Sequence, residues 1–142
     1  MLFRSVLPVL VLCAFATLAA LMEAFARPDT SRAFISGFSV LGCGIAFALT
    51  LWQWKGIDGA YQVPLFGHTL VMDAFSTFFN GLFILGAALA CLLGARYLRE
   101  HQSDFGEYYS LVLFAAAGMS LMVQSRDLIV LFVALEMMSI AV

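Results

Sequence analysis

Charge is the first thing this sequence lacks. Seven Lys or Arg and nine Asp or Glu make up 11% of its 142 residues, where a soluble domain carries roughly 25%. A formal net charge of −2 leaves no basic field for nucleic acid and no acidic tail. With 63% hydrophobic residues, the chain is neither a water-soluble globular domain nor a disordered segment, which needs low hydrophobicity and high charge. Metal-ligating residues are also sparse. Cys13, Cys43 and Cys91 fall in three different apolar stretches, without C-x-x-C spacing or a nearby His. An odd, scattered set suits neither a metal site nor a disulfide framework, so we read them as small apolar residues. His68 stands alone in a loop and His101 alone in a charged connector, and both are assigned to solvated or interfacial positions. Nor is there a G-x-G-x-x-G after a strand or a cysteine cluster for iron–sulfur ligation.

What is abundant is apolar sequence in long runs. Residues 5–22, 33–54, 74–95 and 108–125 contain no Asp, Glu, Lys or Arg. A bilayer core about 30 Å thick needs about 20 residues at 1.5 Å each, so these four runs are expected to span it. A fifth run, 128–142, includes one charge, Glu136, and reaches only about 22 Å as a helix. It stops without the polar or aromatic flank that ends a membrane helix, so we expect a helix cut short and a chain that opens a longer protein. The alternative is a short terminal helix that ends inside a complex. The first run, with Arg4 before it and Ala24-Phe25-Ala26 after it, shares features with a signal peptide. Its length, Glu23 and the spans that follow favour an uncleaved first helix, with Pro8 in its first turns where a missing N–H costs least.

The connectors suggest how the spans are joined. Residues 27–32 form a tight polar turn with Pro28 and Asp29. In 55–72, Gly56, Asp58-Gly59, Pro64 and Gly67 are turn residues, and 60–63 and 68–72 read as strands, predicting a short hairpin at the membrane surface. Asp73 is placed to cap the third helix and Asp127 the fifth. Residues 98–107 are expected as a polar loop, and 124–127 is so short that helices four and five must be antiparallel neighbours. Arg4, Lys55 and Arg126 fall on one side and Arg27, Arg32, Arg96 and Arg99 on the other, and the positive-inside rule then puts the N-terminus in the periplasm. The fold class is all-α: a polytopic membrane helix bundle of four full spans plus a truncated fifth, with the hairpin periplasmic. Gly86-x-x-x-Ala90-x-x-x-Gly94, Gly42-x-x-x-Ala46 and Ala115–Gly118 offer small faces for helix packing, and Phe75, Phe78, Phe79 and Phe83 are also assigned to packing.

Glu136 is the candidate catalytic residue. Nine residues past Asp127, it lies about 13 Å into the helix, near the midplane of the core. A carboxylate there costs on the order of 2–3 kcal/mol even on mild insertion scales, and low dielectric favours its neutral form, so it can take up and release a proton. Ser139, at i+3, shares its face and could donate a hydrogen bond. No Lys or Arg in the other runs can compensate it. The competing reading is a structural carboxyl, protonated or paired for helix packing.

Three segments carry a resemblance. Glu107-Tyr108-Tyr109-Ser110-Leu111-Val112-Leu113-Phe114 with Gly118-Met119, then Ser125-Arg126-Asp127-Leu128, and Leu131-Phe132-Val133-Ala134-Leu135-Glu136-Met137-Met138-Ser139 resemble the antiporter-like subunits of respiratory complex I, most closely subunit N of bacterial NADH-quinone oxidoreductase. Val71-Met72-Asp73-Ala74-Phe75-Ser76 with Phe78-Phe79 is similar to the start of that family's third helix. The match is strong over 107–139 and rests on layout before that. It implies that residues 1–142 are the N-terminal transmembrane region of a membrane-arm subunit in the bacterial inner membrane. Glu136 would stand for the family's fifth-helix glutamate, which pairs with a lysine on a broken seventh helix beyond residue 142 and gates proton movement. Partners would be the other membrane subunits, lipid and protons. This chain would hold no cofactor, with NAD, FMN, iron–sulfur clusters and quinone in partner subunits. Related subunits of cation/proton antiporters and membrane-bound hydrogenases would use the same glutamate, and a truncated, non-transporting remnant would use it only for packing.

Overall fold

The structure, a computed structural model, describes residues 2–25, 33–55, 63–65, 69–100 and 106–142. Five helices form: α1 (Leu2–Phe25), α2 (Ala33–Trp54), α3 (Ala74–Glu100), α4 (Glu107–Gln124) and α5 (Leu128–Ala141), with strands β1 (Val63–Leu65) and β2 (Leu70–Met72) between α2 and α3. α1, α2, α3 and α4 pack into a four-helix bundle closed by α1 against α4, and α5 lies on the outer side of α4. The helices alternate in direction along the chain. One end of the bundle therefore holds the ribbon, the ends of α2 and α4 and the starts of α3 and α5.

Within this fold the apolar runs become helices because only a helix satisfies its own backbone where water is absent. Hydroxyls inside them bond back one turn: Ser39 Oγ donates to Ile35 O at 2.9 Å, Thr50 Oγ1 to Ala46 O at 2.9 Å and Thr17 Oγ1 to Cys13 O at 2.8 Å. Such bonds remove the penalty of an unpaired hydroxyl in apolar surroundings. The core is built from small side chains. Ala16, Cys43, Ala46, Ala87, Ala116 and Ala117 pack with Leu12, Ile84 and Leu113, and Ala19, Ile35, Cys91 and Tyr109 form a second cluster. Gly42 lets Phe15 lie against α2, and Gly94 makes room for the ring of Tyr108. The tyrosine hydroxyl donates to Ala90 O at 3.3 Å.

Among the described residues three helices are long and apolar enough to cross a membrane, over Val6–Phe25, Phe34–Trp54 and Ala74–Tyr97. α4, expected as a fourth, is not among them. Its 18 residues run from Glu107 to Gln124 and include Tyr108, Tyr109, Ser110 and Ser120. It touches all four other helices, so much of its surface meets protein and polar or small residues are admissible there. α3 continues through Glu100, so residues 98–100, expected to open the polar loop, are helical. The charge-free run marks apolar depth, and Arg96-Tyr97-Leu98-Arg99-Glu100 are residues a helix readily accepts.

The expected antiparallel pair of strands forms between α2 and α3. β1 pairs antiparallel with β2 through Val63↔Met72, Pro64↔Val71 and Leu65↔Leu70; Val63 is common to this strand and the expected one at 60–63, whose residues 60–62 lie outside the described residues. Pro64 fits because both strands of a two-stranded ribbon have an outer edge that needs no N–H. Among the described residues the all-α reading is amended only by this ribbon. Asp73 caps α3 as expected: its Oδ1 accepts the Ser76 N–H at 2.7 Å, while Ser76 Oγ accepts the Asp73 N–H at 3.0 Å, a reciprocal capping pair. The turn at 27–32, His68 and His101 lie outside the described residues.

Candidate functional site

The site is built from the ribbon inwards. The α4–α5 turn is held at the ribbon end, where the Arg126 N–H donates to Thr69 O at 2.8 Å and Leu70 bridges to Ser125. Ser125 Oγ closes the end of α4 on Met122 O at 2.9 Å. Asp127 then starts α5, its Oδ1 accepting the Ile129 N–H at 3.0 Å, as the sequence predicts. These contacts fix where α5 begins and its direction back along α4.

Close packing sets the rotation of α5 about its axis. A Cβ on Gly118 would stand 2.9 Å from Ala134 O, 3.0 Å from Met138 N and 3.2 Å from Met138 Cβ. The absence of a side chain at 118 is what lets the two backbones meet. Ala134 is fully buried and Met137 is partly buried against the core. Residues 134 and 138 therefore mark the face of α5 that meets α4. At 3.6 residues per turn, position 136 is about 160–200° away from both.

Glu136 accordingly lies on the opposite face and is exposed. Around it, Ile129, Phe132, Val133 and Ile140 are exposed as well, so the carboxyl sits midway along an apolar stripe that no described element covers. The burial expected of Glu136 is not reached within this chain. Ser139 shares the outward face, but neither it nor Glu136 has a hydrogen bond or ion pair among the described residues. The reason is the same for both expectations: α5 has one packed side, and that side is occupied by alanine and methionine.

Other readings of the sequence met mixed outcomes. Cys43 on α2 and Cys91 on α3 are both fully buried and are neighbours across the α2–α3 contact. The sequence had treated them as unrelated, because a contact between antiparallel neighbours leaves no spacing motif. Of the small-residue positions, Gly42, Gly94 and Gly118 are at contacts, whereas nothing lies within 4 Å of a Cβ on Gly86. The phenylalanines stack along α3 itself, Phe75 on Phe79 with centroids 4.6 Å apart and Phe79 near Phe83 at 5.9 Å. Phe75 and Phe78 face outward, so this stripe does not pack the core. Among the described residues no group of three or more His, Cys, Asp or Glu could hold a metal ion.

Sequence reading passed over a second set of polar residues. Thr50, Gln53, Ser76, Thr77, Asn80, Ser120 and Gln124 are all buried, and all lie toward the ribbon end. The signal was there: Thr77–Asn80 and Ser120–Gln124 have the i+3 and i+4 spacing of one helix face.

No family model matches the chain. It is 35% identical over 140 residues to NADH-quinone oxidoreductase subunit N 1 of Koribacter versatilis, covering 95% of this chain and 27% of that protein. Subunit N of Myxococcus xanthus is 36% identical over 140 residues, 98% of this chain and 26% of its own length. Among solved structures, a chain of respiratory complex I from Thermus thermophilus with bound aureothin superimposes with a TM-score of 0.74 at 26% identity, over 94% of this chain and 27% of that one. The chain thus spans about a quarter of the length of the proteins it matches. Over that quarter, in sequence and in fold, it belongs to the family of NADH-quinone oxidoreductase subunit N.

Proposed function

We propose that this chain forms part of a membrane-arm subunit of a proton-translocating NADH-quinone oxidoreductase, in which Glu136 transfers protons. The observation that carries the reading is the placement of Glu136 halfway along the outward apolar stripe of α5. A carboxyl at that depth is costly unless another element covers and compensates it. The stripe Ile129, Phe132, Val133 and Ile140 is the surface on which such an element would lie. A cationic side chain brought toward Glu136 favours its charged form, and one withdrawn favours its neutral form. The two arrangements together load and release a proton. Redox chemistry would belong to partner subunits of the complex, and this chain would respond to it through that change of field or conformation.

In the same reading α4 is the fourth span, sheltered by its neighbours, and the chain is multi-pass in the bacterial inner membrane. Arg4, Lys55 and Arg126 sit at the ribbon end and Arg96 at the other. Arg27, Arg32 and Arg99 add to the second group by connectivity, which favours a periplasmic ribbon and N-terminus.

The test is Glu136→Gln in the full-length subunit, assembled in its complex and reconstituted in vesicles. Glutamine keeps the size and removes the titration. We expect intact assembly with a reduced number of protons moved per electron. An unchanged stoichiometry would overturn the assignment of Glu136.

A further inference from the structure

The buried polar residues at the ribbon end take no part in the reading above, and three of them keep a side-chain oxygen without a hydrogen-bond partner. Asn80 and Gln124 are 2% exposed and Ser120 is 0% exposed. Asn80 Oδ1, Ser120 Oγ and Gln124 Oε1 are all buried without a hydrogen-bond partner. In a folded protein such groups are nearly always paired, with protein or with ordered water, and leaving them unpaired removes a substantial part of the small net stability.

The helix register places the three residues at one level of the bundle. Gly94 faces Tyr108, and α3 and α4 run in opposite directions. Asn80, fourteen residues before Gly94, is therefore level with Met122, fourteen after Tyr108. Ser120 and Gln124 flank Met122 on the buried side of α4, and Asn80 continues the buried stripe Ile84, Ala87 and Cys91 of α3. α1 adds a fourth acceptor. Pro8 is buried inside the helix and has no N–H, so the carbonyl of Arg4 receives no bond from it. Glu23 lies against Gly106, and the same counting along the antiparallel pair puts Arg4 level with Ser125.

Asn80 Oδ1, Gln124 Oε1 and the Arg4 carbonyl can only accept, Ser120 brings a single hydroxyl proton among them, and the other nearby hydroxyl protons are already in use. Thr77 Oγ1 and Ser76 Oγ both donate to Asp73 O, at 2.9 Å and 3.1 Å, and Thr50 Oγ1 donates to Ala46 O. The missing partner must bring its own hydrogens or positive charge. The buried residues here are neutral, and the carboxylates at this end, Asp73 and Asp127, are engaged as caps of α3 and α5, so a cation would have no free counter-charge. We propose that the ribbon-end interior of the bundle is a hydration site, in which ordered water is held by Asn80, Ser120 and Gln124. Three polar partners match what a buried water ordinarily makes. The site stops one turn further in, where Ile84, Leu113 and Ala116 close the interior, so water enters the bundle from one end only.

The experiment uses the full-length subunit in its assembled membrane complex. A structure at a resolution that shows ordered solvent is expected to place water about 2.7–3.2 Å from more than one of the three oxygens. Asn80→Leu and the milder Ser120→Ala take partners away from that water, and each is expected to lower the thermal midpoint, Ser120→Ala by about 2–4 °C. A dry site, with the three side chains bonded to one another, would overturn the proposal. So would variants that melt at or above the parent temperature, since removing unpaired polar atoms from a dry interior is neutral or favourable. A midpoint that rises when choline is replaced by sodium or potassium would also overturn it, in favour of a bound cation.

Discussion

α4 and α5 lie side by side, antiparallel, and they invert the rule that apolar residues go inside. α5 is apolar throughout except for Glu136 and Ser139, yet Ala134 is its one buried residue and Leu128, Ile129, Phe132 and Ile140 face outward. α4 has tyrosines, serines, a glutamine, a glycine and a run of alanines, and eight of its residues are buried. In a lipid solvent the hydrophobic effect does not sort residues between lipid and protein, since tails and side chains are equally apolar. What decides burial there is how closely two backbones can approach and whether polar atoms find partners. α4 is small and polar because it is central. α5 is large and apolar because most of its surface meets something other than this bundle.

The comparison can be broken most severely at Leu113. It is fully buried on α4, and truncation to alanine leaves a cavity whose lining loses dispersion contacts in lipid as in water. We expect Leu113→Ala to cost about 2–5 kcal/mol, read as a lowered unfolding midpoint of the full-length subunit in detergent. Gly118→Ala should follow, at about 1–3 kcal/mol. The added Cβ meets the α5 backbone at Ala134 O and Met138 N, so no rotamer change relieves it and α5 must move outward. A cysteine pair reporting the α4–α5 distance would register that shift. Removing the α5 cap by Asp127→Ala should cost about 1 kcal/mol, seen as faster amide exchange at Ile129. That loss is bounded because the turn remains tied to Thr69 O by Arg126.

These sites differ in how visible they were beforehand. The spans of α1, α2 and most of α3 were plain from charge-free runs, since the bilayer imposes their length. Both caps were plain too, because Asp at a helix start has a local mechanism. The Glu136 position along α5 followed from counting, but its facing did not. That depends on Gly118 meeting Ala134 and Met138, a contact between helices that the sequence does not encode as spacing. The same holds for Cys43 with Cys91, and for Asn80 with Ser120 and Gln124, where residues far apart in sequence become neighbours only through the registers of α2, α3 and α4. The end of α3 was misjudged for a different reason: loss of apolar character signals the membrane surface, while helix propensity continues through Glu100.

The smallest expected effect separates packing by sequence motif from packing by contact. Gly86 belongs to the same small-x-x-x-small series as Gly94, but only Gly94 has a neighbour that a Cβ would strike, the ring of Tyr108, whereas Gly86 borders an open groove of about 250 Å³ lined by Phe83, Ala90, Val112 and Met119. If contact decides, Gly86→Ala should be neutral or gain up to about 1 kcal/mol from helix propensity, and Gly94→Ala should lose stability. Should both substitutions in the full-length subunit prove equally damaging, the groove beside Gly86 is filled by another helix in the assembled protein, and the outward side of α3 is then an interface in the way the outward stripe of α5 is proposed to be.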